Sequence, residues 1–276
     1  MLGFLIKEFD DDWVNFLKNV GINSCLLIPS NKKQNYFDEN VEIVFSDEIA
    51  NEIKERKVET IFIDRELDLK FSNAENIKII ENEYEKEIYK GYDAYALRSE
   101  KKEGFIYLPY FVDYEYFSNF KPSFPSFEKK KRILVLTKGL NIDIAILFEK
   151  FFTIFKKYET VFYKLDLPNR KNIIFISRSL NKKERAELFY FSSVIFAFEN
   201  FKKEVLEAMS MGKIVYSLDG SYNSLKFSLN DNLETKINRA LEFNGYYPEM
   251  KIYAKDYNIE KVANIFKKEL EILKII

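Results

Sequence analysis

The sequence predicts an α/β chain of two Rossmann-like halves, each a parallel sheet flanked by helices, with a C-terminal helix closing back. Three observations predict it. Short, nearly continuous apolar runs, such as Ser193-Val-Ile-Phe-Ala-Phe198, read as strands buried on both faces. Between them lie stretches of helical spacing, opened by Asp or Asn and closed by Gly. The alternation of strand and helix then recurs along the chain, which is the pattern of a doubly wound sheet.

In the N-terminal half, residues 2–9 form a strand candidate and 11–20 a helix with Asp10 or Asp11 as its N-cap. Gly21 sits where a C-cap glycine belongs, and a second strand runs on to Pro29. Further strands are expected at 41–45, 60–63 and 77–80, with a helix near 47–57. Residues 118–131 carry Pro122 and Pro125 and end in Lys129-Lys130-Lys131-Arg132, which marks a linker between domains. The expected division is therefore 1–120, a linker at 121–131, a second domain at 132–258 and a helix at 259–276. That helix places Val262, Ile265, Phe266, Leu270, Ile272 and Leu273 at helical spacing.

In the second half, 132–137 reads as a strand, Lys138-Gly139-Leu140-Asn141 as a turn and 143–157 as an amphipathic helix with Ile146, Leu147, Phe151 and Ile154 inward. Strands follow at 160–163 and 172–177. A helix at 181–191 is capped by Asn181, with Glu184 three residues on. After the strand at 193–198 come a turn at 200–203, a helix over 204–211 stopped by Gly212, and a strand at 213–218 ending in Asp219-Gly220-Ser221.

Composition removes several chemistries. Among 276 residues there is no histidine, so a His base, a Ser-His triad and His-metal sites are excluded. The single cysteine, Cys25, lies on a predicted strand, which leaves neither a disulfide framework nor a Cys zinc site. Asp10-Asp11-Asp12 fits an Asp-x-Asp metal motif, yet its place between a strand and a helix makes capping the better reading, and no metal is expected. Net charge is -1, with 43 basic and 44 acidic residues, and gives no argument for nucleic acid. No run approaches a membrane span and the N-terminus is too short for a signal peptide, which points to the cytoplasm. Aromatic and basic residues interleave over 151–164, a surface that would suit peripheral membrane contact with a lipid-linked acceptor, although a helix followed by a strand accounts for it better.

The densest functional signal is Glu199-Asn-Phe-Lys-Lys-Glu-Val-Leu-Glu207-Ala-Met-Ser-Met-Gly212-Lys, two carboxylates eight residues apart across a strand-to-helix turn. Ligands of open α/β sheets bind at strand carboxyl ends, beside helix N-termini that attract phosphate. Glu199 would face that crevice, and Glu207 would reach a group over the helix start.

This stretch resembles the GT-B fold glycosyltransferases of retaining family four, through Glu199, Phe201, Glu207-Ala208-Met209, Gly212-Lys213, Val215 and Asp219. A second resemblance is the Pro109, Val112, Asp113 and Phe117 element leading out of the first half. Asn200 and Lys202 replace the two motif glycines that let backbone N–H groups approach a diphosphate.

The resemblance implies a nucleotide-sugar donor, UDP- or GDP-linked, as co-substrate with no other cofactor, and a glycan, lipid or protein as acceptor. Its implied catalytic residues are Glu199, holding the sugar hydroxyls, and Lys138, neutralising the diphosphate. Donor binding falls to Glu207 at the ribose, to Asn200, Phe201, Lys202 and Lys203 at the turn, and to Arg178 as a base or phosphate contact. Retention and metal independence follow from the resemblance as well. On this reading Glu207→Ala should abolish donor binding without unfolding the chain. Two alternatives stand beside it: an inactive binding or assembly subunit of the same fold, suggested by the replaced glycines, and a nucleotide-sugar epimerase, which the lack of histidine disfavours.

Overall fold

In the computed structural model of the chain, the apolar runs become strands buried on both faces, because successive side chains point to opposite sides of sheets that helices cover twice. The structure describes all residues except 82, 124–130, 138–144, 146–156, 170, 199–200, 219 and 229. Two units emerge: Met1–Phe111 with Ile259–Ile276, and Val112–Asn258. The chain passes from the first to the second between Phe111 and Val112, earlier than the proline-bearing segment that the sequence suggested.

Unit 1 contains β1 (Leu2–Leu5), α1 (Asp11–Val20), β2 (Ser24–Pro29), β3 (Gln34–Asp38), β4 (Val41–Ser46), α2 (Ile49–Glu55), β5 (Thr60–Ile63), β6 (Glu75–Ile80), β7 (Ala94–Leu97), β8 (Ile106–Tyr107) and the C-terminal helix (Ile259–Ile272). The strand order is β3-β4-β2-β1-β5-β6-β7-β8, parallel except where β3 runs against β4. Helix α1 starts where the Asp10 carboxylate accepts from the Asp12 N–H at 3.0 Å, so the acidic run caps a helix. It stops at Gly21, whose φ of 74° lets its N–H reach the Leu17 and Lys18 carbonyls.

One face of the sheet, with Phe4, Leu26, Ile43, Phe62 and Ile77, packs under α1 and the C-terminal helix. Phe266 of that helix lies 5.3 Å from Phe62 and 5.6 Å from Phe16, centroid to centroid. The opposite face carries Leu5, Cys25, Leu27, Val44 and Ile61 against Ile49 and Ile53 of α2. Burial pushes the Cys25 thiol up to about 12, consistent with a core residue.

Unit 2 contains α3 (Tyr114–Ser118), β9 (Arg132–Leu136), β10 (Glu159–Tyr163), β11 (Ile173–Ile176), α4 (Lys182–Tyr190), β12 (Val194–Ala197), α5 (Lys202–Ser210), β13 (Val215–Ser217), β14 (Leu225–Lys226), α6 (Leu233–Glu242) and α7 (Pro248–Lys255). Its strands run β11-β10-β9-β12-β13-β14, all parallel. Two glycines fix where α5 hands over to β13. Gly212 has a φ of +72°, and a Cβ there would fall 2.4 Å from the Tyr246 ring. Gly245 has a φ of +68°, and its Cβ would fall 2.2 Å from the Ser193 carbonyl oxygen.

Candidate functional site

Strand order in unit 2 reverses at β9, whose two neighbours are β10 and β12. The β9–β12 pair is in register from Val194↔Ile133 to Ala197↔Leu136, so both strands end at the same edge of the sheet. In open α/β sheets ligands bind at such a reversal, outside the carboxyl ends of the strands. At that edge the Phe198 N–H donates to the Leu136 carbonyl at 2.9 Å. Lys138 follows β9 and Glu199 follows β12 in the sequence; both, with Asn200, lie outside the described residues.

Helix α5 leads away from this edge. Its N-cap is Phe201, whose side chain cannot accept a hydrogen bond and is instead buried, with its ring centroid 6.4 Å from that of Tyr163. The Lys164 ammonium lies 5.5 Å from the Tyr163 centroid and 5.6 Å from that of Phe201, and 3.8 Å from a Glu204 oxygen. Lys202 and Lys203 occupy the first turn and are half-buried. The first turn carries these two lysines beside Glu204 and has no side-chain cap, so the helix dipole favours an anion there.

Glu207 sits one turn further, and its environment differs from the expected one. It is completely buried, and both carboxylate oxygens are taken by Arg185 of α4, Nε to Oε2 at 2.8 Å and Nη2 to Oε1 at 2.6 Å. Arg185 Nη1 also donates to the Leu180 carbonyl at 2.9 Å, and the Leu180 N–H donates to the Tyr163 hydroxyl at 3.2 Å. Burial pushes the Glu207 carboxyl up, and the Arg185 charge opposes that shift. This corrects the expectation that Glu207→Ala would spare the fold. Removing one member of a buried, bidentate pair costs roughly 3–5 kcal/mol.

Arg178 is exposed and forks onto Glu184, Nη1 to Oε2 at 2.9 Å and Nη2 to Oε1 at 2.6 Å. Glu184 also accepts from the Asn181 N–H at 2.9 Å, closing the capping box that starts α4. The Arg178 guanidinium and this hydrogen bond hold the Glu184 carboxyl at about 2, well below the usual range. Segment 178–181 is thus fastened at both ends, by Glu184 and by Arg185.

No protein-family model matches the sequence, and no curated protein matches it. Solved structures do match. Trehalose-6-phosphate synthase OtsA aligns over 98% of this chain and 98% of its own, at 9% identity and a TM-score of 0.69. AviGT4, a glycosyltransferase involved in avilamycin A biosynthesis, aligns over 99% and 97%, at 11% identity and a TM-score of 0.67. A trehalose-6-phosphate structure from E. coli bound with UDP-2-fluoro glucose aligns over 98% and 98%, at 9% identity and a TM-score of 0.63. The fold is that of the GT-B glycosyltransferases. A GT-B chain pairs two Rossmann-like units, and here both strand orders and the alignment over nearly the whole chain agree.

Within this GT-B fold, the described site residues divide by role. Phe201, Lys202, Lys203 and Glu207 share α5 or its cap, and Arg178 belongs to the loop before α4. Arg185 is the residue that sequence reading missed. Its signal was an arginine next to Ala186 and near Phe189, on a face that the helix buries, where a cation needs a buried carboxylate.

Proposed function

We propose that the chain is a glycosyltransferase that binds a nucleotide-sugar donor in unit 2 and transfers the sugar to an acceptor hydroxyl. The observation that supports this reading is the pairing of β9 with β12 at the strand-order reversal, since these strands lead into Lys138 and Glu199. A UDP-sugar analogue bound to a trehalose-6-phosphate structure of the same fold favours a UDP-linked donor.

In this proposal the bond from the anomeric carbon to the diphosphate oxygen breaks and the acceptor oxygen bonds to that carbon. The acceptor's proton passes to the leaving diphosphate oxygen on the same face. A chain without histidine can run this retaining route, because it requires no protein base. Lys138, Lys202 and Lys203, with the N-terminus of α5, stabilise the charge that develops on the diphosphate. Glu199 orients the sugar through its hydroxyls, and Asn200 and Phe201 shape the turn around the diphosphate. Arg178 contacts the base or a phosphate once it leaves Glu184. Glu207 would meet the ribose only by loosening its hold on Arg185, so its role in the resting structure is to position Arg185 and, through the Leu180 carbonyl, segment 178–181.

The test is a thermal-shift series with UDP-, GDP-, ADP- and TDP-sugars on the native chain, Glu199→Gln and Lys138→Ala. One nucleotide class should stabilise the native chain by roughly 2.7 kcal/mol at a hundredfold excess over Kd. Glu199→Gln should lose the difference between sugar-bearing and bare diphosphate, and Lys138→Ala should lose both. No stabilisation by any nucleotide sugar or bare diphosphate would overturn the proposal.

A further inference from the structure

Unit 2 carries a cavity of about 500 Å³ away from the strand ends discussed above, between the β13–β14 edge and α6. Successive residues of β13 face opposite sides of the sheet, and Tyr216 points to the side covered by α6. The core cluster on that side includes Leu233, Ile237 and Ala240 of α6 and, among the described residues, none from α4 or α5. The cavity therefore opens on the other face of the sheet from Glu207 and Arg185. Its volume lies in the range of small-molecule sites.

The lining is chemically one-sided. Lys226, Lys236 and Arg239 face a single carboxylate, Asp231. That carboxylate is already committed: it accepts from the Ser228 N–H at 2.8 Å and pairs with Lys236 at 3.2 Å. Lys236 in turn lies 5.0 Å from the centroid of the Tyr216 ring. Lys226 and Arg239 are exposed at the rim and form no side-chain ion pair among the described residues. On the floor, Tyr216 is 4% exposed and stacked on Phe196, and its hydroxyl has no hydrogen-bond partner among the described residues. The ring is buried while the hydroxyl opens into the cavity, where it is available to donate to a ligand or water oxygen. Across from it, Phe243 and Tyr247 offer ring surface, and Phe243 is half exposed.

We propose that this pocket binds a small anion carried on a flat apolar body, a phosphate monoester or carboxylate. Arg239 and Lys226 hold the anionic group, the Tyr216 hydroxyl donates to it, and Phe243 and Tyr247 cover the body. The site is independent of the donor reading and would remain if that reading failed.

Phenyl phosphate, benzoate, inorganic phosphate and neutral benzyl alcohol serve as probes, titrated by calorimetry and by amide chemical shifts on the full chain. Phenyl phosphate should bind saturably below about 10 mM, with shifts centred on α6 and β13. Arg239→Ala with Lys226→Ala, both at exposed positions, should weaken it about tenfold or more, and Tyr216→Phe should weaken it several-fold. Inorganic phosphate should bind more weakly than phenyl phosphate, and benzyl alcohol should not register. Absence of saturable binding, affinity undiminished in the double variant, or inorganic phosphate binding as tightly as phenyl phosphate would each overturn the proposal.

Discussion

Two arginine–glutamate forks frame the loop before α4, and they differ in how visible they are from sequence. Arg178, Asn181 and Glu184 lie within seven residues, and the capping box is read directly from an Asn followed by a Glu three positions later. Because Glu184 has a folded value of about 2 against an ordinary 4.5, its contribution is present above 4.5 and fades as pH falls from 4.5 toward 2. A carboxyl titration followed by NMR should find this low midpoint, and Arg178→Met should raise it toward 4.5. A midpoint unmoved in that variant would assign the depression to the Asn181 N–H alone. Arg185 and Glu207, by contrast, come from different helices, and nothing in their local sequence pairs them. Arg185→Met and Glu207→Met should each destabilise by roughly 3–5 kcal/mol, whereas the double variant should recover much of the loss. Additive losses in urea unfolding would show that the two side chains do not act as a pair.

At the scale of elements, chain punctuation was informative wherever it was local. Helix α1 begins at Asp11 under its Asp10 cap and stops before Gly21, as its sequence indicates, and α4 follows Asn181. Strand β3 was invisible, since Gln34-Asn-Tyr-Phe-Asp38 is largely exposed, lacks apolar alternation and becomes a strand only by pairing with β4. Helices α6 and α7 were not anticipated either, although Asn232 caps the first and Pro248 opens the second. The glycines add a distinction that sequence cannot make. Gly21 and Gly245 both have positive φ, but a Cβ meets nothing within 4 Å at Gly21 and a backbone carbonyl oxygen at 2.2 Å at Gly245. Gly21→Ala should therefore cost only the left-handed penalty of roughly 1–2 kcal/mol. Gly245→Ala should cost clearly more, because the backbone carbonyl just before β12 cannot give way as a flexible side chain does. Equal losses in urea unfolding would mean that the 243–246 turn relaxes freely.

For the whole molecule, the C-terminal helix belongs with the first 111 residues, whose aromatic cluster it covers. Val262, Phe266 and Leu270 are fully buried, each contributing roughly 1.5–3 kcal/mol. Their sum is a large part of a typical domain stability of about 5–15 kcal/mol. A chain ending at residue 258 should lose the near-ultraviolet dichroism of Trp13, the single tryptophan, which packs in this cluster. Retention of that signal would show that α1 and the sheet hold together without the helix.

The sequence by itself determined the alternation of strands and helices, the principal caps, the amphipathic C-terminal segment and the exclusion of histidine chemistry. All of these depend on residues a few positions apart, where periodicity and side-chain-to-backbone hydrogen bonds act before any tertiary contact forms. Only the tertiary structure decided that Glu207 faces Arg185, that β9 adjoins β12, and that Tyr216 looks into a cationic pocket under α6. Those arrangements join residues from 22 to more than 60 positions apart in the first two cases. They depend on how helices cover each face of the sheet, which packing settles and local sequence does not encode.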